Sequence, residues 1–160
     1  MKRASYIFAA TAIVVVAAAA AYIFYNQGQR PVSFQVNGNT YRITSYAYTE
    51  AERATGLMNA TVTNDTFMLF RFDNPGIYPF WMKDTYSPLD IIWLNYSSTD
   101  GTAKVVYIAN ATPCIEYSSS QDSCIVYTPR SEANYVLEAR AGFAKANDMT
   151  AGTEIRFLYK

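Results

Sequence analysis

The sequence contains no histidine. Its absence removes His-based nucleophilic triads, His-ligated zinc or haem, and an imidazole general base. Cysteine is nearly as scarce, and two residues cannot build a four-thiolate metal site. Charge of one sign is also missing. Thirteen Lys and Arg meet 13 Asp and Glu, for a formal net charge of zero. A nucleic-acid binder normally shows a basic excess on one face, so no nucleic-acid partner is expected. Neither a metal nor an organic cofactor is expected either. What remains is a chain of 160 residues, 51% hydrophobic and 16% aromatic, long enough for one ordinary domain.

The N-terminus carries the location signal. Tyr6 to Tyr25 is a 20-residue run in which only Thr11 is not hydrophobic. As a helix it would extend about 30 Å, the thickness of a bilayer's hydrocarbon core. Lys2 and Arg3 precede it, and Arg30 is the nearest charge beyond it. The positive-inside rule then leaves residues 1–5 in the cytoplasm, makes 6–25 a transmembrane signal anchor and exports the rest. The alternative is a cleavable signal peptide, with A-x-A sites among Ala17 to Ala21. The apolar run continues past those alanines to Tyr25, which favours the uncleaved anchor. Both readings export the domain to the extracytoplasmic side of the cell membrane. Residues 26–32 form a short linker and 33–160 the exported domain. From residue 31 onward the chain carries ten basic and 13 acidic groups, net −3.

Cys114 and Cys124 both lie in the exported part, ten residues apart. Outside the cytoplasm such a pair is expected as a disulfide closing a polar surface loop. A catalytic dithiol would have closer spacing.

The exported part reads mostly as strands. Ser33 to Val36 alternates and meets Asn37-Gly38, a hairpin signal, with Thr40 to Tyr48 returning. Thr49 with Glu52 three residues on predicts a capping box at a helix start. Further strands are expected at 67–72 (stopped by Asp73 to Gly76), 104–109, 135–139 and 153–159, with a short helix near 141–146. Pro79 to Met82 and Ile91 to Leu94 are two apolar segments joined by Lys83 to Asp90. The pattern predicts an α+β domain: a mostly antiparallel, barrel-like sheet of six to eight strands with two short helices.

Six motifs occur in order: E-R-A-T-G-L-M (52–58), M-L-F (68–70), F-W-M-K-D-T (80–85), P-L-D-I (88–91), P-C (113–114) and Y-V-L-E-A-R-A-G (135–142). This string resembles the family catalogued as domain of unknown function 192, over roughly residues 33–158. The resemblance implies a fold and an exported or anchored setting; it supplies no reaction and no catalytic residue. Two positions depart from the family pattern. Ala60 stands where G-L-M-x-R has its Arg, and Asp84 where W-M-K is usually followed by Asn.

The densest motif supplies the candidate site. If the two apolar segments pair as a hairpin, Lys83 and Asp90 fall opposite one another. They then form either a cross-strand ion pair fixing register or the polar centre of a pocket with Met58, Phe80, Trp81 and Asp84. Trp93, in an apolar run, belongs to the core. Glu138 could join Asp84 or Asp90 as a carboxylate pair for glycoside hydrolysis. N-x-[ST] occurs at Asn59, Asn64, Asn95 and Asn110, compatible with glycosylation or with loop composition. The leading expectation is a membrane-tethered small-ligand or glycan binding module of the cell envelope. The alternatives are a carboxylate-dependent hydrolase of envelope polymers and a structural partner of another envelope protein. The sequence leaves the oligomeric state open.

Overall fold

The computed structural model describes residues 30–97, 99, 101–115 and 124–159. Val32–Leu158 form one compact unit; a second, Met1–Pro31 with Tyr159–Lys160, falls almost wholly outside the described residues, as does the expected transmembrane segment 6–25. No helix among the described residues is long and apolar enough to cross a membrane.

Strand β1 (Ser33–Val36) turns through Asn37 and Gly38, both at positive φ, into β2 (Asn39–Arg42). Two successive left-handed residues are what a tight type I′ hairpin requires. The expected returning strand 40–48 is split. Ile43 N donates to Val32 O, Thr44 N donates to Phe67 O, and the chain leaves β2 for β3 (Ser45–Ala47). β3 pairs with β4 (Phe67–Gly76) in parallel, a direction the antiparallel expectation lacks. Helix α1 (Glu50–Thr55) follows with the capping box formed: Thr49 Oγ1 accepts from Glu52 N, and Glu52 Oε2 accepts from Thr49 N.

The remaining strands are β5 (Phe80–Trp81), β6 (Leu89–Tyr96), β7 (Thr102–Ala111), β8 (Val126–Tyr127), β9 (Ala133–Arg140) and β10 (Glu154–Leu158), with α2 (Phe143–Ala146) between the last two. Eight of them form one sheet in the order β2-β1-β10-β7-β6-β9-β4-β3; β5 and β8 form a separate ribbon. The sheet's edge strands β2 and β3 are consecutive, joined by Ile43 and Thr44 alone. Three residue steps reach about 10 Å, so the sheet must curl until its edges nearly meet. The result is a mostly antiparallel half-barrel with two short helices.

Side-chain alternation sorts the core into two layers. One layer holds Phe67 and Leu69 of β4, Ile92 and Leu94 of β6, and Tyr135 and Leu137 of β9. The other holds Met68 and Phe70, Ile91 and Trp93, and Val136 of the same strands. Central strands buried on both faces read as continuous apolar runs, which is why M-L-F and I-I-W-L show no polar alternation. Trp93 is fully buried, as expected, and its indole N–H donates to Tyr78 O at 2.8 Å.

Two expectations are corrected here. Strand β4 does not stop at Asp73; it runs to Gly76 through a register irregularity against β9 between Arg71 and Gly76. The 79–82 and 91–94 segments do not pair. Both edges of β6 are taken, by β7 and β9, and β5 pairs instead with β8 (Phe80 opposite Tyr127). Lys83 therefore does not face Asp90; it bridges to Cys114.

Candidate functional site

Glu138 sits on the central strand β9, in register with Met68 of β4 and Ile91 of β6. It shares its face with Val136. A carboxyl has thus been placed on an otherwise apolar layer. It is 4% exposed, and its Oε2 has no hydrogen-bond partner. Burial alone pushes its pKa up to about 8, because removing the group from water disfavours the charged form. At neutral pH Glu138 is mostly protonated, a donor rather than an anion.

A small cleft opens over this carboxyl. Its lining includes Arg53, Gly56 and Met58 from α1 and the turn after it, Phe70 of β4, Phe80 and Trp81 of β5, and Lys83 and Thr85. Space for the centre of a water molecule amounts to about 20 Å³, enough for a single functional group at the bottom. Phe70 and Phe80 meet edge to face at 4.9 Å, and the Lys83 ammonium lies 5.5 Å from the centre of the Trp81 ring. Trp81 is 44% exposed, an unusual position for so large an apolar surface. The Arg53 guanidinium donates to Tyr48 O and Arg71 O, which holds it at the cleft wall.

Backbone conformation explains two of the motifs. Gly56 ends α1 at φ +50°, and a Cβ there would lie 3.4 Å from Phe70 Cζ and 3.9 Å from Glu138 Oε2. Glycine lets the backbone take the left-handed turn and leaves open the space above the carboxyl. Asp84 is at φ +48°, within the turn that Thr85 N closes onto Met82 O. Asn and Asp are the side-chain-bearing residues that best tolerate that region. Its carbonyl accepts from Asn59 N at 2.8 Å, tying this turn to the G-L-M turn. The disulfide Cys114–Cys124 is formed, and Cys114 bridges both Lys83 and Thr85, so the bridge braces the same turn.

The model of the DUF192 family, described as uncharacterized ACR, matches residues 32–157. The chain belongs to the DUF192 family. It is similar to a crystal structure of a proposed transcription regulator from Sinorhizobium meliloti 1021, at 28% identity and a TM-score of 0.61, covering 78% of this chain and 92% of that one. A protein of unknown function from Novosphingobium aromaticivorans is similar at 29% identity and a TM-score of 0.62, covering 79% and 84%. No curated protein matches. In this DUF192 member Asp84 serves the turn that Asn would serve, so that departure is conformationally neutral. Ala60 packs partly against the Phe70 and Trp93 layer, where a longer Arg would have to leave it.

Of the residues singled out from the sequence, Met58, Phe80, Trp81 and Lys83 come together in the cleft, and Asp84 and Asp90 do not line it. Asp90 is fully buried on the other face of β6. Its Oδ1 accepts from Asn110 Nδ2 at 2.6 Å and its Oδ2 from Ala144 N at 2.8 Å. Gly142, the N-cap of α2, has no side chain to cap with, and Asp90 supplies that function from β6. The suggested pairing of Glu138 with Asp84 or Asp90 is therefore not built. Asn110 is held through the very nitrogen a glycan would take, Asn59 Oδ1 accepts from Tyr86 and Asn64 Oδ1 from Arg140, while Asn95 is exposed on β6. Arg53, Gly56, Phe70 and Thr85 were not signalled by the sequence as site residues; only the fold brings them to Glu138.

Proposed function

We propose that this DUF192 member is a binding module tethered by residues 6–25, with its domain on the extracytoplasmic side of the cell membrane. Its cleft over Glu138 takes one end of a small ligand or glycan. The observation that carries this reading is Glu138 Oε2, a buried polar atom without a partner. An unmade hydrogen bond of this kind costs about 1–3 kcal/mol, which a ligand group entering the cleft would recover. Aromatic walls with few polar groups at the bottom are the usual composition of a small-molecule site. Glu138 is the only carboxyl lining the cleft among the described residues, so two-carboxylate hydrolysis has little support. The apolar run and the disulfide, a bond that persists in oxidising compartments, support the exported setting.

The test is a thermal-shift screen of the full chain in detergent against glycans, organic acids, amines and nucleotides, with product analysis. A ligand at 100-fold excess over its Kd should stabilise by about 2.7 kcal/mol without turnover, and Trp81→Ala should remove the effect. Turnover would move the protein to the hydrolase class, and no stabilisation by any compound would remove the binding reading. Protease added to spheroplasts should digest the domain; full protection would overturn the topology.

A further inference from the structure

Resting on that reading, we infer that the group received by the cleft is a primary carboxamide, seated against the Glu138 carboxyl and carried on a small apolar stem that lies on Trp81. Two observations place it. Glu138 is 4% exposed, and its Oε2 has no hydrogen-bond partner. The point where a Cβ on Gly56 would stand is 3.9 Å from that same oxygen. Glycine there leaves open the volume from which a ligand atom reaches Oε2.

What the ligand must bring follows from the bonds the cleft walls already make. The Arg53 guanidinium donates through Nη1 to Tyr48 O and Arg71 O, and it lies 5.0 Å from the centre of the Phe72 ring. Lys83 is engaged as well, with its ammonium 5.5 Å from the centre of the Trp81 ring. The Thr55 hydroxyl donates to Ala51 O at 3.0 Å, and the Thr85 hydroxyl to Lys83 O at 3.2 Å. Both hydroxyl hydrogens are therefore in use, while each oxygen keeps lone pairs. Glu138 is mostly protonated at neutral pH, because burial raises its pKa to about 8, so it offers one O–H and one carbonyl oxygen. The side chains thus leave the accepting oxygens of Thr55, Thr85 and Glu138 against a single hydrogen.

The ligand end must give hydrogens and also accept one. A carboxylate brings only acceptors, and its second oxygen faces the Glu138 carbonyl. An ammonium has donors, but it meets the positive charges of Arg53 and Lys83 at the walls. A tertiary amide has no hydrogen to give. A primary carboxamide accepts the Glu138 O–H, returns one N–H to the Glu138 carbonyl in a planar two-bond ring, and keeps a second N–H for a threonine oxygen. An alcohol has one hydrogen for the same set. The bottom of the cleft, about 20 Å³, admits such a group only as an end. Its stem stays outside, on the half-exposed Trp81 face.

Calorimetry on the full chain in detergent at neutral pH tests this with one stem bearing different ends: phenylacetamide, N,N-dimethylphenylacetamide, phenylacetate, phenethylamine and phenethyl alcohol. Phenylacetamide should bind, and each of the others at least about tenfold more weakly, the loss for a missing hydrogen bond in a desolvated site. Glu138→Gln keeps a donor and an acceptor in one plane and should hold phenylacetamide within about threefold of the parent. Glu138→Leu should lose it by at least about tenfold. A retained melting midpoint makes that loss local, and rescue by Gln assigns it to the hydrogen bonds. If the Leu variant does not fold, the ligand series and the Gln variant decide. An acid, amine, alcohol or dimethyl amide that binds as tightly as phenylacetamide overturns the carboxamide assignment while the cleft reading stands. So does phenylacetamide binding that Glu138→Leu leaves unchanged, or that Glu138→Gln abolishes. No binding of phenylacetamide at millimolar concentration also overturns it. The cleft reading itself falls only if the wider screen is blank.

Discussion

Asp90 and Glu138 lie on neighbouring rungs of one strand pair: Asp90 is opposite Ala139, and Ile91 is opposite Glu138. Both are buried, and each points into a different layer of the core. The layer that receives Asp90 gives it the Asn110 amide and the first turn of α2. The layer that receives Glu138 gives Oε2 nothing. Degree of burial is thus the same while the accounting of partners is opposite. A buried carboxyl with its donors in place is part of the frame, and one without them carries the cost of an unmade hydrogen bond. Location on the sheet does not separate the two; counting hydrogen bonds does.

The largest test of this contrast is pH. Burial makes Glu138 hold its proton to about pH 8 in the folded chain, against 4.5 for an ordinary glutamate carboxyl. The folded state binds the proton more tightly, so its contribution is full below about 4.5, declines as pH rises, and is lost above about 8. At about 1.4 kcal/mol per pKa unit the whole span is on the order of 4–5 kcal/mol. Urea midpoints between pH 4.5 and 9 should follow this decline, and Glu138→Gln should flatten it. A parent profile that already matches the Gln variant would break the contrast. Next in size is Asp90→Ala, which orphans two donors and uncaps α2. It should cost about 3 kcal/mol or more, whereas Glu138→Leu should be neutral or stabilising at pH 7. Equal losses at the two sites would make both carboxyls structural.

Two smaller changes sharpen the picture on the cleft side. Replacing both Cys114 and Cys124 with Ser should cost about 2–3 kcal/mol by loop entropy for a closure of this length. Because the bridge braces the Lys83 turn, ligand affinity should fall with it, and an unchanged affinity would detach the disulfide from the site. Lys83→Met should change the melting midpoint by an amount worth no more than about 1 kcal/mol, the range for partly exposed charges. A larger loss would give Lys83 a structural part in the turn.

The strongest local signals in the sequence lead to correct local structure. Asn37-Gly38 makes the hairpin, and Thr49 with Glu52 makes the capping box, because each depends on residues no more than three apart. The cluster F-W-M-K-D-T puts Phe80, Trp81, Lys83 and Thr85 on one cleft, while Asp84 does not line it. What fails is long-range pairing. Nothing near Phe80 announces that its partner is Tyr127, or that β6 has both edges occupied. Asp90 is misread for the same reason: its two donors come from positions 20 and 54 residues away. Glu138 is visible as a polar residue ending an apolar run, but its face is fixed only by its register with Met68 and Ile91. The disulfide is legible because the two cysteines stand only ten residues apart, across a polar stretch.

The first strand of the sheet lies against the last, with Ser33 opposite Leu158 and Val32 N–H bonded to Leu158 O. Synthesis delivers these partners at the two extremes of the domain. While a ribosome or translocon still holds the C-terminal residues, β1 and β2 can form only their own hairpin, and isolated hairpins are marginal in water. The gap between β1 and β7 can be filled only by β10, at a separation where chain-closure entropy is largest. Folding of this domain is therefore committed late and slowly, in the manner of proteins dominated by distant pairings. Until β10 docks, the two apolar layers of the central strands stay within reach of chaperones, and of other copies of the same chain.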